Sequence, residues 1–220
     1  MCGCQLSLYG NIGLGPVASM AKRDPTPQLV VHGDVSDVQP LNAVANEWTA
    51  YRGDSARSDT TEVTLPKNIS LKWKAEVVAN ELPTAPVVAG GLVFVADRTG
   101  SVRALDTSGK LVWKTYTAGP VYYPPTVAHD RLFVGCADGR VYAFEARTGR
   151  QLWTYRVAFE SRLIPVFGKL ISTWPVAGGV VVDDDTVYAA AGITHYDGTQ
   201  VVALDALTGE LKTQNITSGK

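Results

Sequence analysis

Residues 102–113 of the chain read VRALDTSGKLVW, and residues 141–153 repeat the pattern as VYAFEARTGRQLW. Residues 201–213 carry a third copy, VVALDALTGELKT, in which Thr213 stands where the other copies have tryptophan. The tryptophans recur at a constant interval of 40 residues, at Trp73, Trp113 and Trp153. Self-similarity at this period indicates an array of stacked supersecondary units.

Each copy contains the signals of short antiparallel strands. Asp138-Gly139 separates the apolar runs 132–134 and 141–144, and Asp-Gly between such runs favours a hairpin because glycine adopts positive φ at no steric cost. A second turn, at Thr148-Gly149, leads into the strand that ends with tryptophan. Four strands, A to D, are predicted per repeat, in the second repeat roughly at 125–129, 131–135, 140–145 and 150–155.

A four-stranded repeat of about 40 residues is typical of a propeller blade. The predicted fold class is therefore all-β, a β-propeller of four-stranded antiparallel blades, with about three blades plus one strand present in an incomplete ring. The indole of each outer strand can pack on the turn glycine of the next blade, where no side chain blocks the contact. We expect a structural role for Trp73, Trp113, Trp153, Gly109, Gly149 and Gly209.

The repeats divide the chain into two regions. Residues 1–47 show no repeat and are predicted to be an irregular leader or linker, and residues 48–220 form the partial propeller. Its repeats span about 75–115, 116–155 and 156–214, and residues 71–74 are interpreted as a D strand without its own A, B and C. The missing blades are expected from a longer chain or from self-association.

The run Ala104-Leu105-Asp106, followed by Gly109-Lys110 and Trp113, resembles the tryptophan-docking repeat of pyrroloquinoline-quinone (PQQ) proteins. A bacterial outer-membrane assembly lipoprotein with the same repeat is a propeller without a quinone. The segment WTAYRGDSAR at 48–57 is similar to the lead-in before such propellers. The resemblance covers about 48–220, is specific for the fold and is weak for chemistry.

The third repeat is longer than the others, by 15 residues between Trp153 and Val187 and by 5 between Ala189 and Val201. In an up-and-down blade, the D-to-A and B-to-C connections emerge on one face, so both insertions are predicted at one mouth of the propeller. Loops on one face of a rigid scaffold are where binding residues concentrate. The ligand-binding candidates in these insertions are Arg162, Lys169, Trp174, His195, Tyr196 and Asp197.

Each candidate has a chemistry and a simpler alternative. Arg162 or Lys169 could hold a carboxylate or phosphate, and Trp174 or Tyr196 could stack on a sugar or base. His195 and Asp197 have the residue types of a general acid/base pair. The alternative for these two is a solvated loop with an Asp-Gly turn, and no catalytic residue is assigned.

Composition and motifs exclude several classes of function. The net charge of −1 and the lack of a Lys/Arg run argue against nucleic-acid binding. No apolar run approaches the ~20 residues of a transmembrane helix, and residues 1–20 lack the regions of a signal peptide. Cys2, Cys4 and Cys136 form neither a disulfide framework nor a metal motif, and a buried inert thiol is expected for Cys136.

Three functions remain open. A non-catalytic binding or scaffold module of the bacterial cell envelope would hold an envelope protein or a saccharide, without a cofactor; the resemblance implies a periplasmic or outer-membrane-associated location. The alternative is a fragment of a PQQ-dependent alcohol or sugar dehydrogenase with PQQ and calcium, but that family pattern adds a vicinal cysteine pair, and Cys2 and Cys4 are not adjacent. A sensory domain fused to another module is the third. The lack of any catalytic motif favours a binding module over an enzyme.

Overall fold

The computed structural model describes residues 28–75, 81–193 and 198–217. Regular structure in these residues consists of short strands, as expected for Val-rich runs separated by glycine turns. The strands are β1 (Leu29–Val31), β2 (Val87–Ala89), β3 (Leu92–Ala96), β4 (Ser101–Asp106), β5 (Leu111–Tyr116), β6 (Thr126–Ala128), β7 (Arg131–Gly135), β8 (Arg140–Glu145), β9 (Gln151–Arg156), β10 (Leu163–Val166), β11 (Lys169–Ser172), β12 (Val180–Asp183), β13 (Thr186–Ala191), β14 (Thr199–Asp205) and β15 (Leu211–Thr217).

Three sheets have the same topology, in which consecutive strands pair antiparallel. Blade 1 has the order β2-β3-β4-β5, blade 2 contains β6 to β9, and blade 3 has the order β12-β13-β14-β15. Two clusters of buried apolar side chains join the blades, one shared by blades 1 and 2 and one by blades 2 and 3. The predicted fold class, an all-β propeller of four-stranded antiparallel blades, is confirmed.

Tryptophan docking links successive blades in the same way. A Cβ atom built on Gly109 would lie 2.7 Å from the ring of Trp73, and one built on Gly149 would lie 2.6 Å from the ring of Trp113. Trp153 stands in the same relation to Gly209, at 2.6 Å. Because these three glycines also have positive φ, both the turn and the ring contact require a residue without a side chain.

The indole nitrogens add a hydrogen bond at two of these contacts. Trp73 Nε1 donates to the carbonyl oxygen of Thr107, and Trp113 Nε1 to that of Ala146, each at 3.0 Å. The D strand expected at 71–74 is not formed, because no described strand lies beside it to supply a ladder. Trp73 nevertheless occupies the docking position.

The segment before the propeller is more ordered than the sequence indicated. Within the leader predicted at 1–47, β1 pairs antiparallel with β9 and extends blade 2 to five strands. The chain then runs along the A–B and C–D turns of the blades. There Leu41 is buried, and its N–H donates to Asp130 Oδ1 at 2.8 Å. The Gln39 N–H donates to Glu145 Oε1 at 2.6 Å. Residues 28–47 are therefore part of the folded unit, because their backbone donors meet carboxylates from two turns of blade 2.

Candidate binding face

One face of the propeller carries every D-to-A and B-to-C connection, and we call it the upper face. Backbone hydrogen bonds tie these connections together. The Val121 N–H donates to Asp97 O at 3.2 Å, the Ala137 N–H to Pro120 O at 2.8 Å, and the Val176 N–H to Cys136 O at 3.0 Å. The upper face is thus a continuous surface, as the up-and-down strand order requires.

The first insertion is a β-hairpin on this face. Pro120 and Pro175 occupy equivalent places, since the carbonyl oxygen of Pro175 accepts from the Gly192 N–H at 3.2 Å as that of Pro120 does from Ala137. The extra residues therefore fall within 159–173, which contain β10 and β11. The turn between these strands is Phe167-Gly168, with φ of 47° and 76°, the two positive values of a type I′ hairpin turn.

The hairpin presents apolar side chains to solvent. Phe167 is 71% exposed at the tip, and Phe159, Leu163 and Leu170 are also exposed. A phenylalanine at positive φ costs about 1–2 kcal/mol relative to the right-handed regions. The surroundings of the Phe167 side chain within the fold do not offset this cost, because most of the ring faces solvent.

The three predicted ligand residues of this insertion hold the hairpin in place. The guanidinium of Arg162 lies 5.0 Å from the ring centroid of Trp174, and its Nε is 3.7 Å from Glu160 Oε1. Trp174 is only 7% exposed and belongs to the core. Lys169 Nζ donates to Glu81 Oε1 at 2.5 Å. A ligand-binding role for these residues stays a prediction, and in this structure each already has an internal partner.

The second insertion connects β13 to β14. Its predicted site residues, His195, Tyr196 and Asp197, lie outside the described residues. At its base, Gly192 makes the hydrogen bond to Pro175 described above. The end of the first insertion and the start of the second therefore lie side by side on the upper face.

Sequence reasoning missed two clefts beside the lead-in segment. One, of about 330 Å³, is lined by residues that include Tyr51, Arg52, Pro86 and Pro124. The two prolines precede the innermost strands β2 and β6, so this cleft lies at the upper-face end of those strands. The other, of about 380 Å³, is lined by Trp48 and by the carboxylates of neighbouring residues. The aromatic and charged residues of 48–57 were the available signal, but only the fold shows that they are brought against two blades.

Residues 48 and 49 lie beside these clefts and form hydrogen bonds to two blades. The Val88 N–H donates to the carbonyl oxygen of Trp48 at 2.7 Å, and the Val127 N–H to that of Thr49 at 2.8 Å. These donors lie on β2 and β6, the innermost strands of blades 1 and 2. The lead-in therefore supplies one hydrogen-bond acceptor to the inner edge of each of these strands.

The titratable groups buried beneath the upper face serve the fold. Burial raises the pKa of the Cys136 thiol well above its usual value, so the thiol stays protonated and unreactive. Burial and the neighbouring Asp138 also raise the pKa of Tyr142, whose hydroxyl donates to Asp138 and accepts from the Ala118 N–H. These groups connect the loops of blades 1 and 2.

The described residues contain neither a cluster of metal ligands nor a membrane-spanning helix. No three His, Cys, Asp or Glu side chains of the described ranges converge as a metal site would require. The part of the chain that the structure describes also contains no helix with the length and hydropathy needed to cross a bilayer.

Comparison with known proteins identifies the family. The family model for outer membrane protein assembly factor BamB matches residues 66–219. The chain belongs to this family. The resemblance to quinoprotein-type tryptophan-docking repeats is thereby confirmed, since the relatives include both BamB proteins and quinone-dependent dehydrogenases.

Individual relatives span more than this chain does. BamB from Burkholderia pseudomallei (strain K96243) is 28% identical over 207 residues, which cover 86% of this chain and 49% of the relative. A quinohemoprotein alcohol dehydrogenase from Comamonas testosteroni is 25% identical over 223 residues, covering 90% of this chain and 30% of the enzyme. The chain thus spans about half the length of the BamB relative and about a third of the dehydrogenase.

Solved structures show the same fold. A quinohemoprotein alcohol dehydrogenase from Pseudomonas putida HK5 superposes with a TM-score of 0.66 at 20% identity, over 78% of this chain and 27% of that one. The Comamonas testosteroni enzyme gives a TM-score of 0.62 at 21% identity, over 84% and 29%. These two dehydrogenases therefore share blade architecture with this chain.

Proposed function

We propose that the chain is a non-catalytic β-propeller module of the bacterial cell envelope that binds a protein partner through its upper face. Membership of the BamB family supports an envelope role, since its relatives are outer membrane protein assembly factors. It also supports a periplasmic or outer-membrane-associated location. The proposal includes no cofactor.

The exposed hairpin is the observation that favours a protein as the partner. Loops that display large apolar side chains on a rigid scaffold mark interaction sites. Phe167 and Leu170 provide this apolar surface, whereas the indole of Trp174, which could have stacked on a sugar, is buried. A saccharide ligand is less well supported, because the hairpin offers aliphatic and phenyl groups in place of convergent polar ones.

Site-specific photocrosslinking in cells tests the proposal. A photoreactive residue at Phe167 should form adducts with one or a few envelope proteins. The matched control position is Leu207, an exposed apolar residue in the β14–β15 turn on the opposite face. Adducts formed equally from both positions, or from neither, would contradict binding through the upper face.

A second candidate is a fragment of a PQQ-dependent alcohol or sugar dehydrogenase. The match of a quinohemoprotein alcohol dehydrogenase to 90% of this chain favours it. Its calcium-bound quinone would supply the redox chemistry, but the described residues include no converging acidic set for the metal, and Cys136 is a single buried thiol. The residues that the structure describes do not fit this group. Adding PQQ and Ca²⁺ to the purified chain should produce no quinone absorption band, and a stoichiometric band would favour the enzyme.

A further inference from the structure

The outer edges of the three blades differ in how they are covered. In each blade the last of the four blade strands, β5, β9 or β15, lies on the outer side of the blade. β9 is covered by β1, while no described strand pairs with the outer edge of β5 or of β15. An uncovered edge presents unpaired N–H and C=O groups and is a template for another strand.

The covered edge of blade 2 shows what these outer strands accept. β1 lies antiparallel to β9, with Val31 opposite Trp153, Val30 opposite Thr154 and Leu29 opposite Tyr155. The Cδ1 atom of Leu29 lies 2.9 Å from the position of a Cβ on Gly209, so it also packs on the turn of the next blade. An extended apolar strand is therefore the natural partner of such an edge in this protein.

β5 has the same groups available. Aligning the docking tryptophans makes Val112, Lys114 and Tyr116 equivalent to Leu152, Thr154 and Arg156. In β9 these positions face outward, since Leu152 O accepts from the His32 N–H and the Arg156 N–H donates to Gln28 O.

The side chains of the two edges confirm the difference in cover. Leu152 is 0% exposed, whereas its equivalent, Val112, is 49% exposed. Tyr116 and Leu111 of β5 are exposed as well. Blade 1 therefore leaves bare an apolar edge of the kind that blade 2 buries under β1.

The edge of β15 is different in chemistry. Lys212 takes the place of Leu152, and its ammonium group donates to the Asp185 carbonyl at 2.7 Å and to Thr186 Oγ1 at 3.1 Å. Thr213 replaces the tryptophan, and the next residues are polar. The edge of β15 therefore offers little apolar surface and a lysine that is already hydrogen-bonded, whereas β5 exposes Leu111, Val112 and Tyr116 around its one lysine. Of these two edges, β5 is the one suited to an apolar partner strand.

We propose that the outer edge of β5 binds an extended strand of a protein partner, antiparallel to β5, with the pattern apolar–acidic–apolar. The two apolar residues would lie opposite Trp113 and Thr115, where Val31 and Leu29 lie on β9. The acidic residue would lie opposite the exposed Lys114, because opposite charges directly across a strand pair are favourable. This surface lies on the outer edge of blade 1, so its test is independent of the function proposed for the upper face.

The probe is a synthetic peptide of residues 28–35, the chain's own β1 sequence, added to the full chain. The chain's own β1 already occupies the outer edge of β9, which directs the added peptide to β5. A Val30→Glu peptide should bind about two- to fivefold more tightly than the parent peptide, and a Val30→Lys peptide more weakly. Fluorescence anisotropy gives the affinities.

Charge reversal and a backbone variant locate the site. In Lys114→Glu the preference should invert, so that the Val30→Lys peptide binds best. Lys114→Pro removes an outward-facing N–H and should abolish binding, while the matched variant Gln214→Pro on β15 should leave it unchanged. Amide exchange should slow at Lys114 and Tyr116. An unchanged peptide preference in Lys114→Glu, or protection on β15, would overturn the proposal.

Discussion

Gly149→Ala tests whether tryptophan docking stabilises the array of blades. Gly149 has φ of 76°, and an added Cβ would lie 2.6 Å from Cε3 and 2.7 Å from Cδ2 of Trp113. Carbon atoms do not approach this closely, so the Trp113 indole must move from its packed position between blades 1 and 2. The substitution therefore combines a backbone penalty with a steric one.

The two penalties have separable magnitudes. An L-residue in the left-handed region costs about 1–2 kcal/mol, and displacing a well-packed ring costs about 1–3 kcal/mol. Gly149→Ala should thus lower the free energy of unfolding by about 2–5 kcal/mol. This is a large part of the 5–15 kcal/mol that typically stabilises a folded protein.

The matched control is Gly91→Ala, because Gly91 has φ of 74° and a Cβ there would meet nothing within 4 Å. It should show only the backbone penalty. Urea denaturation followed by far-ultraviolet circular dichroism measures both variants. Adding Gly149→Ala to a Trp113→Leu background should cost no more than Gly91→Ala. Equal destabilisation by Gly149→Ala and Gly91→Ala in the native background would refute the docking argument.

Three further substitutions test individual contacts. Burial raises the pKa of Glu145, but hydrogen bonds from Gln39 and Thr148 outweigh this effect and lower the pKa overall. Glu145→Gln should therefore lower the free energy of unfolding by about 2 kcal/mol at pH 7. Because the lowered pKa stabilises the fold only above the unfolded value, this difference should shrink as denaturation is repeated below about pH 4. Tyr142→Phe should cost about 1–3 kcal/mol and speed amide exchange at Ala118, which loses its acceptor. Arg162→Ala should change the free energy of unfolding by under about 1 kcal/mol, since the ion pair of Arg162 is half-exposed. A larger loss of stability would mean that the hairpin serves packing and not binding.

The blades could be predicted because the sequence features that define each repeat are local. Glycine at positive φ, Asp-Gly turns and alternating apolar runs act over a few residues, so the strands of the second repeat were predicted to within one residue at each end. The spacing of Trp113 and Trp153 likewise predicted blades joined through matching rings. Both features are confirmed in the sheets.

The regions without a repeat were predicted poorly. β1 is only three residues long, and nothing in Leu29–Val31 indicates that its partner is β9, more than 100 residues away. The order of residues 33–47 likewise depends on acceptors supplied by Asp130 and Glu145. Long-range pairings of this kind leave no periodic signal.

The candidate binding face likewise has features that the sequence predicted and features that it did not. Counting residues between tryptophans placed both insertions on one face, because an up-and-down blade leaves no choice. That Trp174 is buried under Arg162, while Phe167 is displayed, could not be read from residue type, since both are large aromatic residues. Their roles are set by which side chain reaches the core between blades 2 and 3.

By itself, the sequence determined the all-β class, the blade repeat and the face on which the insertions emerge, since these follow from turn chemistry and strand alternation within each repeat. Only the tertiary structure decided which sheet edges are covered, which aromatic rings are buried and which carboxylates hold the leading segment. Those outcomes depend on surfaces contributed by residues far apart in the chain, whose contacts form only when the blades pack against each other.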